Sequence, residues 1–175
     1  MLRLLLLRHA KATAHVASAD AQRPLSRRGQ KDALRIGEYL RAEDLVPAMA
    51  FVSHARRSRE TLEIALRGLG GKVTVEEKKK LYLAEPRTLL DIVHETPGHV
   101  RTLLIVGHNP GLAAFAGELA GEGDPRALAG VVRSFPTSAL AVLDFDVPEW
   151  AEIDLGSGRL DRLVTPSALD GEEEE

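Results

Sequence analysis

Arginine and histidine follow three short apolar runs of the chain, and this repeated pattern is the strongest chemical signal in the sequence. Each run is followed within five residues by a basic side chain: Leu2–Leu7 by Arg8 and His9, residues 48–52 by Arg57, and residues 102–106 by His108. In open α/β sheets, ligands bind just beyond the carboxyl ends of the strands. If the runs are neighbouring strands, two imidazoles and two guanidiniums converge on one pocket, which suits an anion.

A phosphoryl group is the anion that these side chains suit best. Arg8 and Arg57 can each direct a fork of N–H donors at phosphoryl oxygens, and His108 can supply a third contact. His9 can attack phosphorus as a neutral imidazole and form a phosphohistidine intermediate that water hydrolyses, provided that a carbonyl fixes its other ring nitrogen. We therefore predict His9, Arg8, Arg57 and His108 as catalytic residues, the last three also binding phosphate.

The segment after the third run adds one phosphate-binding candidate. Asn109 is expected to cap a helix that has Pro110 at its first position. The N–H groups and the positive dipole end of such a helix would face the same pocket, where they favour an anion. We therefore include Asn109 among the predicted phosphate-binding residues.

The elements that must hold these residues alternate between strand and helix. Short apolar runs predict strands, and apolar residues three and four apart predict helices. The predicted strands are 2–7, 49–52, 73–75, 102–106 and 139–145, with short edge strands at 150–154 and 160–164. The predicted helices are 27–43 with Ser26 as N-cap, 56–69, 86–95 and one from 110, and residues 120–136 are expected to be loop with a single helical turn. This alternation predicts an α/β fold, a three-layer α/β/α sandwich around a mostly parallel sheet.

Length, charge and cysteine content narrow the class of protein. The 175 residues suit one domain, expected at 1–166, followed by an acidic, disordered tail at 167–175. The absence of cysteine excludes disulfides and thiol catalysis, and with no secretory or membrane-spanning segment it favours a cytoplasmic protein. Residues 1–41 hold nine Lys/Arg against three Asp/Glu, while aromatic residues are only 4%, so an anionic substrate is expected rather than nucleic acid or a membrane.

Four segments together resemble the histidine phosphatase superfamily. Arg8-His9-Ala10 is similar to its Arg-His-Gly signature, and residues 53–61 are similar to its Ser-Pro-x-x-Arg-Ala-x-x-Thr segment, with Arg57 in the arginine position. Residues 106–111 resemble the segment that carries the second histidine, and residues 23–29 resemble the start of the first helix. The resemblance covers most of residues 1–145 and implies a phosphoglycerate mutase-like fold with no metal and no cofactor.

The short chain, without a large insertion, resembles the SixA-type phosphohistidine phosphatases in particular. This resemblance implies a phosphatase whose substrate is phosphohistidine on a partner protein. Two residues depart from the family pattern, since Ala10 replaces a glycine and His54 replaces a proline. Larger members carry an acidic proton donor near the third strand, and Glu85 is the candidate here, although it could equally be a solvated residue at a helix start.

Other functions fit parts of the pattern. A small-molecule phosphomonoesterase would use the same residues, whereas a mutase would have to shield its phosphoryl group from water. A phosphoprotein-binding module could keep the arginines without turnover, but His9 argues for catalysis. A zinc site built from His9, His54 and His108 is disfavoured because the flanking arginines would repel a dication.

Arg57 and Arg56 are adjacent, and only Arg57 has the spacing from Ser53 that the family pattern requires. We predict that Arg57→Ala lowers kcat by the equivalent of about 2.7–4 kcal/mol, the range for losing one donor to a developing oxyanion. Arg56→Ala is the matched control and should retain nearly full activity in steady-state kinetics. Equal losses in the two variants would show that the assigned spacing is wrong.

Overall fold

The computed structural model describes residues 1–14 and 19–171 and contains one seven-stranded sheet. The strands are β1 (Leu2–Arg8), β2 (Met49–Val52), β3 (Thr74–Glu77), β4 (Thr102–Gly107), β5 (Ala120–Gly123), β6 (Leu140–Phe145) and β7 (Gly158–Val164). Their order across the sheet is β3-β2-β4-β1-β6-β7-β5. The pairs β3/β2, β2/β4, β4/β1 and β7/β5 are parallel, and β6 runs antiparallel to both of its neighbours. The predicted mostly parallel sheet is confirmed.

Helices cover both faces of the sheet, as the predicted three-layer sandwich requires. They are α1 (Arg27–Ala42), α2 (Arg56–Leu69), α3 (Pro86–His94), α4 (Gly111–Leu119), α5 (Pro125–Arg133) and α6 (Pro166–Gly171). Apolar residues of α1, α2 and α6 pack on one face, and those of α3, α4 and α5 pack on the other. The Ser26 hydroxyl accepts from the N–H of Gly29 at 3.0 Å, so Ser26 is the N-cap of α1 as predicted.

Strand β1 lies in the middle of the sheet and is buried on both sides. Leu2, Leu4 and Leu6 belong to the core under α3 and α4, whereas Leu5 and Leu7 belong to the core under α1 and α2. All five side chains have no solvent exposure. A continuous apolar run is typical of such a strand, because alternating polar residues would place polar groups in one of the two cores.

Several predictions fail towards the carboxyl end of the chain. Residues 120–136 contain β5 and the nine-residue α5 rather than a loop with one turn, and residues 150–152 form a 3₁₀ turn rather than a strand. The sequence of β5, Ala-Gly-Glu-Gly, lacks the β-branched and aromatic residues that mark strands, and it pairs only at the edge of the sheet. β7 lies between β6 and β5 and is therefore not an edge strand.

The predicted acidic tail begins inside a short helix. Residues 166–171 form α6, and the carboxylate of Asp170 pairs with Arg28 of α1 at 2.9 Å. The like-charge repulsion on which the tail prediction rested is that among Glu172 to Glu175. Residues 172–175 lie outside the described residues. Within the described part of the chain, no helix has the length and apolar character needed to cross a bilayer.

The central order β2-β4-β1 positions the basic residues identified in the sequence. These three strands are parallel neighbours, with Leu7 opposite Val106 and Val52 also opposite Val106. Their carboxyl ends therefore lie side by side at one edge of the sheet, where Arg8 ends β1, Ser53 follows β2 and His108 follows β4. The predicted convergence of the three strand ends is present in the fold.

Helices α1 and α2 approach so closely at Gly37 that a Cβ there would lie 2.0 Å from the carbonyl oxygen of Ala65. We predict that Gly37→Ala destabilises the protein, because a clash with backbone outweighs the roughly 1 kcal/mol of helix propensity that alanine gains. Overpacking costs about 1–3 kcal/mol, which corresponds to a fall of about 2–12 °C in Tm for a domain of this size. Thermal unfolding of the variant and the wild type measures this difference in Tm.

Gly98→Ala is the matched control, since nothing lies within 4 Å of a Cβ at that position. Its Tm should be unchanged or slightly raised, because alanine reduces the conformational entropy of the unfolded chain. A Gly37→Ala variant as stable as the control would contradict the close approach of α1 and α2.

Candidate active site

His9 lies directly beyond β1, and its ring is held in one orientation by the backbone. Its Nδ1–H donates to the carbonyl oxygen of Ala10 at 2.8 Å, so Nε2 carries the lone pair. The Ala10 N–H donates to the Thr61 hydroxyl, and that hydroxyl donates to the Arg57 carbonyl. Because Thr61 and Arg57 belong to α2, these bonds attach the segment after β1 to that helix. Ala10 does not have positive φ, and the structure therefore accommodates it where the family pattern has glycine.

Arg57, in the first turn of α2, places its guanidinium between the two predicted histidines. Its side chain is only 3% exposed. The Nε–H donates to His9 Nε2 at 3.4 Å, and Nη2–H donates to His108 Nδ1 at 3.3 Å. Nε and Nη2 form the side-on edge of the guanidinium, the fork that binds two oxygens of a carboxylate or phosphate. This edge therefore faces the unprotonated Nε2 of His9.

His108 lies beyond β4, and two serines of the neighbouring segment orient it. Its Nε2–H donates to the Ser53 hydroxyl at 2.8 Å and lies 3.4 Å from the Ser58 hydroxyl, which leaves Nδ1 to accept from Arg57. The His9 and His108 rings are 5.3 Å apart between centroids. Ser53 and Ser58 belong to the segment that resembles the family pattern, but the sequence alone did not indicate that they hold a histidine.

Arg8 and Asn109 meet at a single carbonyl. Arg8 Nη1–H and Asn109 Nδ2–H both donate to the Phe135 oxygen, at 3.2 and 2.7 Å. Asn109 Oδ1 accepts from the N–H of Ala113, and α4 begins one residue later than predicted, at Gly111. The Asn109 amide is therefore engaged by protein at both ends, with one Nδ2–H left over, and its role as a phosphate ligand stays a prediction. Arg8 Nε is buried and has no partner among the described residues.

Asp20 and Tyr82 also belong to the site, and sequence reasoning missed both. The Asp20 carboxylate accepts from Arg57 Nη2 at 3.0 Å, and its backbone carbonyl accepts from Nη1 at 2.8 Å. The Tyr82 hydroxyl donates to the same carboxylate, and its ring contacts His108 edge-on with centroids 5.3 Å apart. Asp20 begins the short 3₁₀ turn Asp20–Gln22, and Tyr82 follows the turn Lys79–Leu81. Such short connecting turns lack the periodic patterns that mark helices and strands in a sequence.

Glu85, the predicted proton donor, is not brought to this cluster. It is exposed at the start of α3 and lines a surface cavity of about 600 Å³ with Arg87, Leu90 and Glu118. Among the described residues, no hydrogen bond or ion pair joins Glu85 to His9, Arg57 or His108. The structure therefore places Glu85 as the solvated helix-start residue that the sequence left as an alternative.

Burial and neighbouring cations keep both imidazoles neutral. Burial lowers the pKa of His9 to about 4, although the Ala10 carbonyl opposes this shift, and Arg57 and Arg8 lower the pKa further. Burial, His9 and Arg57 lower the pKa of His108 to about 3. The Tyr82 hydroxyl and Arg57 lower the pKa of Asp20 to about 2. At neutral pH the site thus holds two cationic guanidiniums, two neutral imidazoles and one carboxylate.

The third histidine near the site contacts Tyr82 rather than the other two. The His54 and Tyr82 rings are 5.1 Å apart between centroids, and His54 Nδ1 is buried without a partner among the described residues. In the described part of the chain, no group of three His, Asp or Glu side chains has the arrangement of a metal site.

Comparison with known proteins identifies the family. The sequence model of the histidine phosphatase superfamily (branch 1) matches residues 4–82. An uncharacterized protein of Mycobacterium tuberculosis is 37% identical over 158 residues, covering 88% of this chain and 96% of that relative. An uncharacterized protein of Mycobacterium leprae is 35% identical over 169 residues, covering 91% of this chain and 99% of that relative. The chain belongs to the histidine phosphatase superfamily.

Solved structures narrow the likeness within that superfamily. The SixA protein of Nakamurella multipartitia overlays with a TM-score of 0.81 at 30% identity, over 94% of this chain and 96% of that one. SixA of Agrobacterium tumefaciens overlays with a TM-score of 0.79 at 29% identity, over 94% of this chain and 98% of that one. A protein histidine phosphatase SixA complexed with tungstate shares the fold, with a TM-score of 0.74 at 21% identity. The protein is SixA-like, and these likenesses support phosphatase activity.

The lowered pKa values of His9 and His108 predict that each ring is a neutral imidazole, with a single N–H, above about pH 5. A lowered pKa means that the proton is lost as pH rises through about 4 for His9 and about 3 for His108. Nitrogen NMR of the free protein should therefore show one protonated and one bare nitrogen in each ring at pH 6. His9→Ala and His108→Ala assign the signals.

The same shifts make folding stability depend on pH. Unfolded histidine binds a proton near pH 6.5, whereas these two folded rings do not, so stability should fall as pH is lowered from about 6.5 towards 4. A doubly protonated ring at pH 6 in the free protein would contradict the buried, neutral site.

Proposed function

We propose that this protein is a phosphohistidine phosphatase, which removes the phosphoryl group from a histidine of a partner protein by way of His9. The observation that carries the proposal is the His9 ring. Its Nδ1–H is held by the Ala10 carbonyl, and its Nε2 lone pair faces the side-on edge of Arg57 at 3.4 Å. A phosphoryl group on that edge would meet a neutral, oriented nucleophile.

The reaction has two transfers. In the first, His9 Nε2 forms a bond to phosphorus while the bond from phosphorus to the substrate's imidazole breaks, and that imidazole takes a proton from water. In the second, water attacks the phosphorus on His9, inorganic phosphate leaves, and Nε2 regains its lone pair. Arg57 and the unpartnered Nε–H of Arg8 stabilise the charge on the phosphoryl oxygens.

Two guanidiniums make a divalent metal unnecessary for charge stabilisation in this scheme, and no cofactor is involved. They supply the positive charge that Mg²⁺ supplies in other phosphoryl-transfer sites. Desolvation of Arg8 and the nearby Arg57 charge lower the pKa of Arg8, which reflects two cations held close together without full compensation. An anion binding between them would relieve that repulsion.

The state of the carboxylates supports a phosphorus–nitrogen substrate over an alkyl phosphate. Asp20 contacts Arg57, but its pKa is lowered to about 2 by the Tyr82 hydroxyl and Arg57, so it is ionised at neutral pH and cannot donate a proton. Glu85 is exposed and outside the cluster. An alkoxide leaving group needs a proton donor, whereas an imidazole can take its proton from water. The SixA proteins that overlay on this fold are named phosphohistidine phosphatases.

The surroundings of the site suit a protein substrate. The chain carries no long insertion that could form a lid, and Asp20 at the site is about half exposed. Exposed cations near the site, Lys11 and Arg59, would favour an acidic partner surface. A small phosphorylated metabolite is the alternative substrate, and it would bind the same arginines.

His9→Ala tests the proposal. We expect the wild-type protein to dephosphorylate a phosphohistidine protein much faster than a phosphoserine peptide or a sugar phosphate. His9→Ala should abolish this turnover, because removing a nucleophile typically costs many orders of magnitude in rate. Rapid quenching with labelled substrate should trap an acid-labile, alkali-stable phosphoenzyme in the wild type and none in the variant.

His99→Ala is the matched control, since His99 is exposed in a loop away from the cluster. It should keep full activity and the phosphoenzyme. Faster turnover of sugar phosphate would replace the proposed substrate with a small molecule. Tight binding of phosphohistidine protein without any turnover would indicate a binding module.

A further inference from the structure

Asp20 occupies the edge of Arg57 that the histidines leave open. The Asp20 carbonyl accepts from Nη1 at 2.8 Å and its carboxylate accepts from Nη2 at 3.0 Å. Nη1 and Nη2 form the end-on edge of a guanidinium, whereas the histidines face Nε and Nη2 on the side-on edge. One planar group therefore has a different partner on each of two adjacent edges.

The contacts on the two edges differ in strength. Those to Asp20 are short and one is charge-assisted, while those to the neutral rings of His9 and His108 are 3.3–3.4 Å long. A phosphoryl group could replace the long contacts while Asp20 stays in place. The alternative is that Asp20 imitates the substrate and must leave before a phosphoryl group binds, but Asp20 is not on the edge that faces the nucleophile.

We propose that Asp20 is a positioning residue, which holds the end-on edge of Arg57 so that the side-on edge is presented to the substrate's phosphoryl group beside His9. The proposal deepens the proposed function, since it takes a phosphoryl group as the ligand. It assigns a role to a residue that does not itself contact the reacting atoms.

Both carboxylate oxygens of Asp20 accept hydrogen bonds from other side chains. Oδ1 accepts from Arg23 Nε at 3.0 Å, and Oδ2 accepts from the Tyr82 hydroxyl as well as from Arg57. The Tyr82 ring also lies beneath the Arg57 guanidinium, 5.9 Å from its centre. Asp20 and Tyr82 together restrict rotation of the guanidinium, which its buried methylenes alone would not do.

Removing the Asp20 side chain has two opposite effects on anion binding. The loss of a negative charge should strengthen binding, but the carboxylate is half exposed and screened, so this effect is about fivefold or less. The loss of the acceptor frees the guanidinium to turn, and misplacement of such a group by about 1 Å can cost about 100-fold. The positioning effect is the larger, so the net change should be weaker binding.

Tungstate binding measured by titration calorimetry tests this role without requiring turnover. We expect Asp20→Ala to bind tungstate about 10- to 100-fold more weakly than wild type. Asp20→Asn keeps an oxygen acceptor for Nη2 and should stay within about fivefold of wild type. The kcat/KM for the phosphohistidine protein should fall in the same order, with kcat falling as well as KM rising, because Arg57 acts on both the bound and the reacting phosphoryl group.

Asp161→Ala is the matched control, since it removes an aspartate–arginine pair with Arg162 on β7, outside the site. It should bind tungstate as wild type does. The Tm of Asp20→Ala should fall by no more than about 4 °C, the shift expected for about 1 kcal/mol, which separates positioning from unfolding. If Asp20→Ala does not fold, Asp20→Ser replaces it, because its side chain is too short to reach Nη2.

A change in tungstate affinity of the opposite sign would overturn the proposal. Unchanged or tighter tungstate binding by Asp20→Ala would identify Asp20 as a competing anion instead. Asp20→Asn as weak as Asp20→Ala would show that an oxygen acceptor at this position does not hold Arg57 in place. A failure of the proposed function gives a different result. Wild-type protein that binds tungstate but dephosphorylates no substrate would refute phosphatase activity. The role of Asp20 could then still be measured by tungstate binding.

Discussion

A buried guanidinium with every edge engaged is the constraint on which the rest of this site depends. A cation that is removed from water must be matched by acceptors, and Arg57 finds them in His9, His108 and Asp20. These partners come from three separate segments of the chain. A single side chain therefore holds in one arrangement the carboxyl ends of β1 and β4, the start of α2 and the 3₁₀ turn that carries Asp20.

The electrostatic state of the site follows from that arrangement. Burial lowers the pKa of both imidazoles most, Arg57 lowers both further, and Arg8 adds to the shift of His9, so both rings are neutral at pH 7. The Tyr82 hydroxyl and Arg57 keep Asp20 ionised at neutral pH, so it has no proton to donate. A site of this kind is suited to accept a phosphoryl group from a leaving group that departs easily. Catalysis then rests on position and charge, as is general for phosphoryl transfer.

Much of the fold and the centre of the site could be predicted from residue patterns. The continuous leucines of β1 predict a strand buried on both faces, and the basic residues after β1, β2 and β4 predict a shared pocket, because parallel neighbours end at one edge. β5 and the turn at Trp150 could not be predicted in this way. Their local sequences carry no strand or helix period, and pairing with β7 and burial of the indole decide their conformation.

The amino-acid sequence by itself determined that His9, the two arginines and His108 meet at one edge of the sheet, since each follows a strand that hydrophobicity reveals. Only the tertiary structure showed that Asp20 and Tyr82 join them, that Asn109 is engaged with backbone, and that Glu85 faces elsewhere. The physical reason is that side-chain partners across loops depend on how layers pack. Asp20 and Arg57 are 37 residues apart, and no local pattern records their contact.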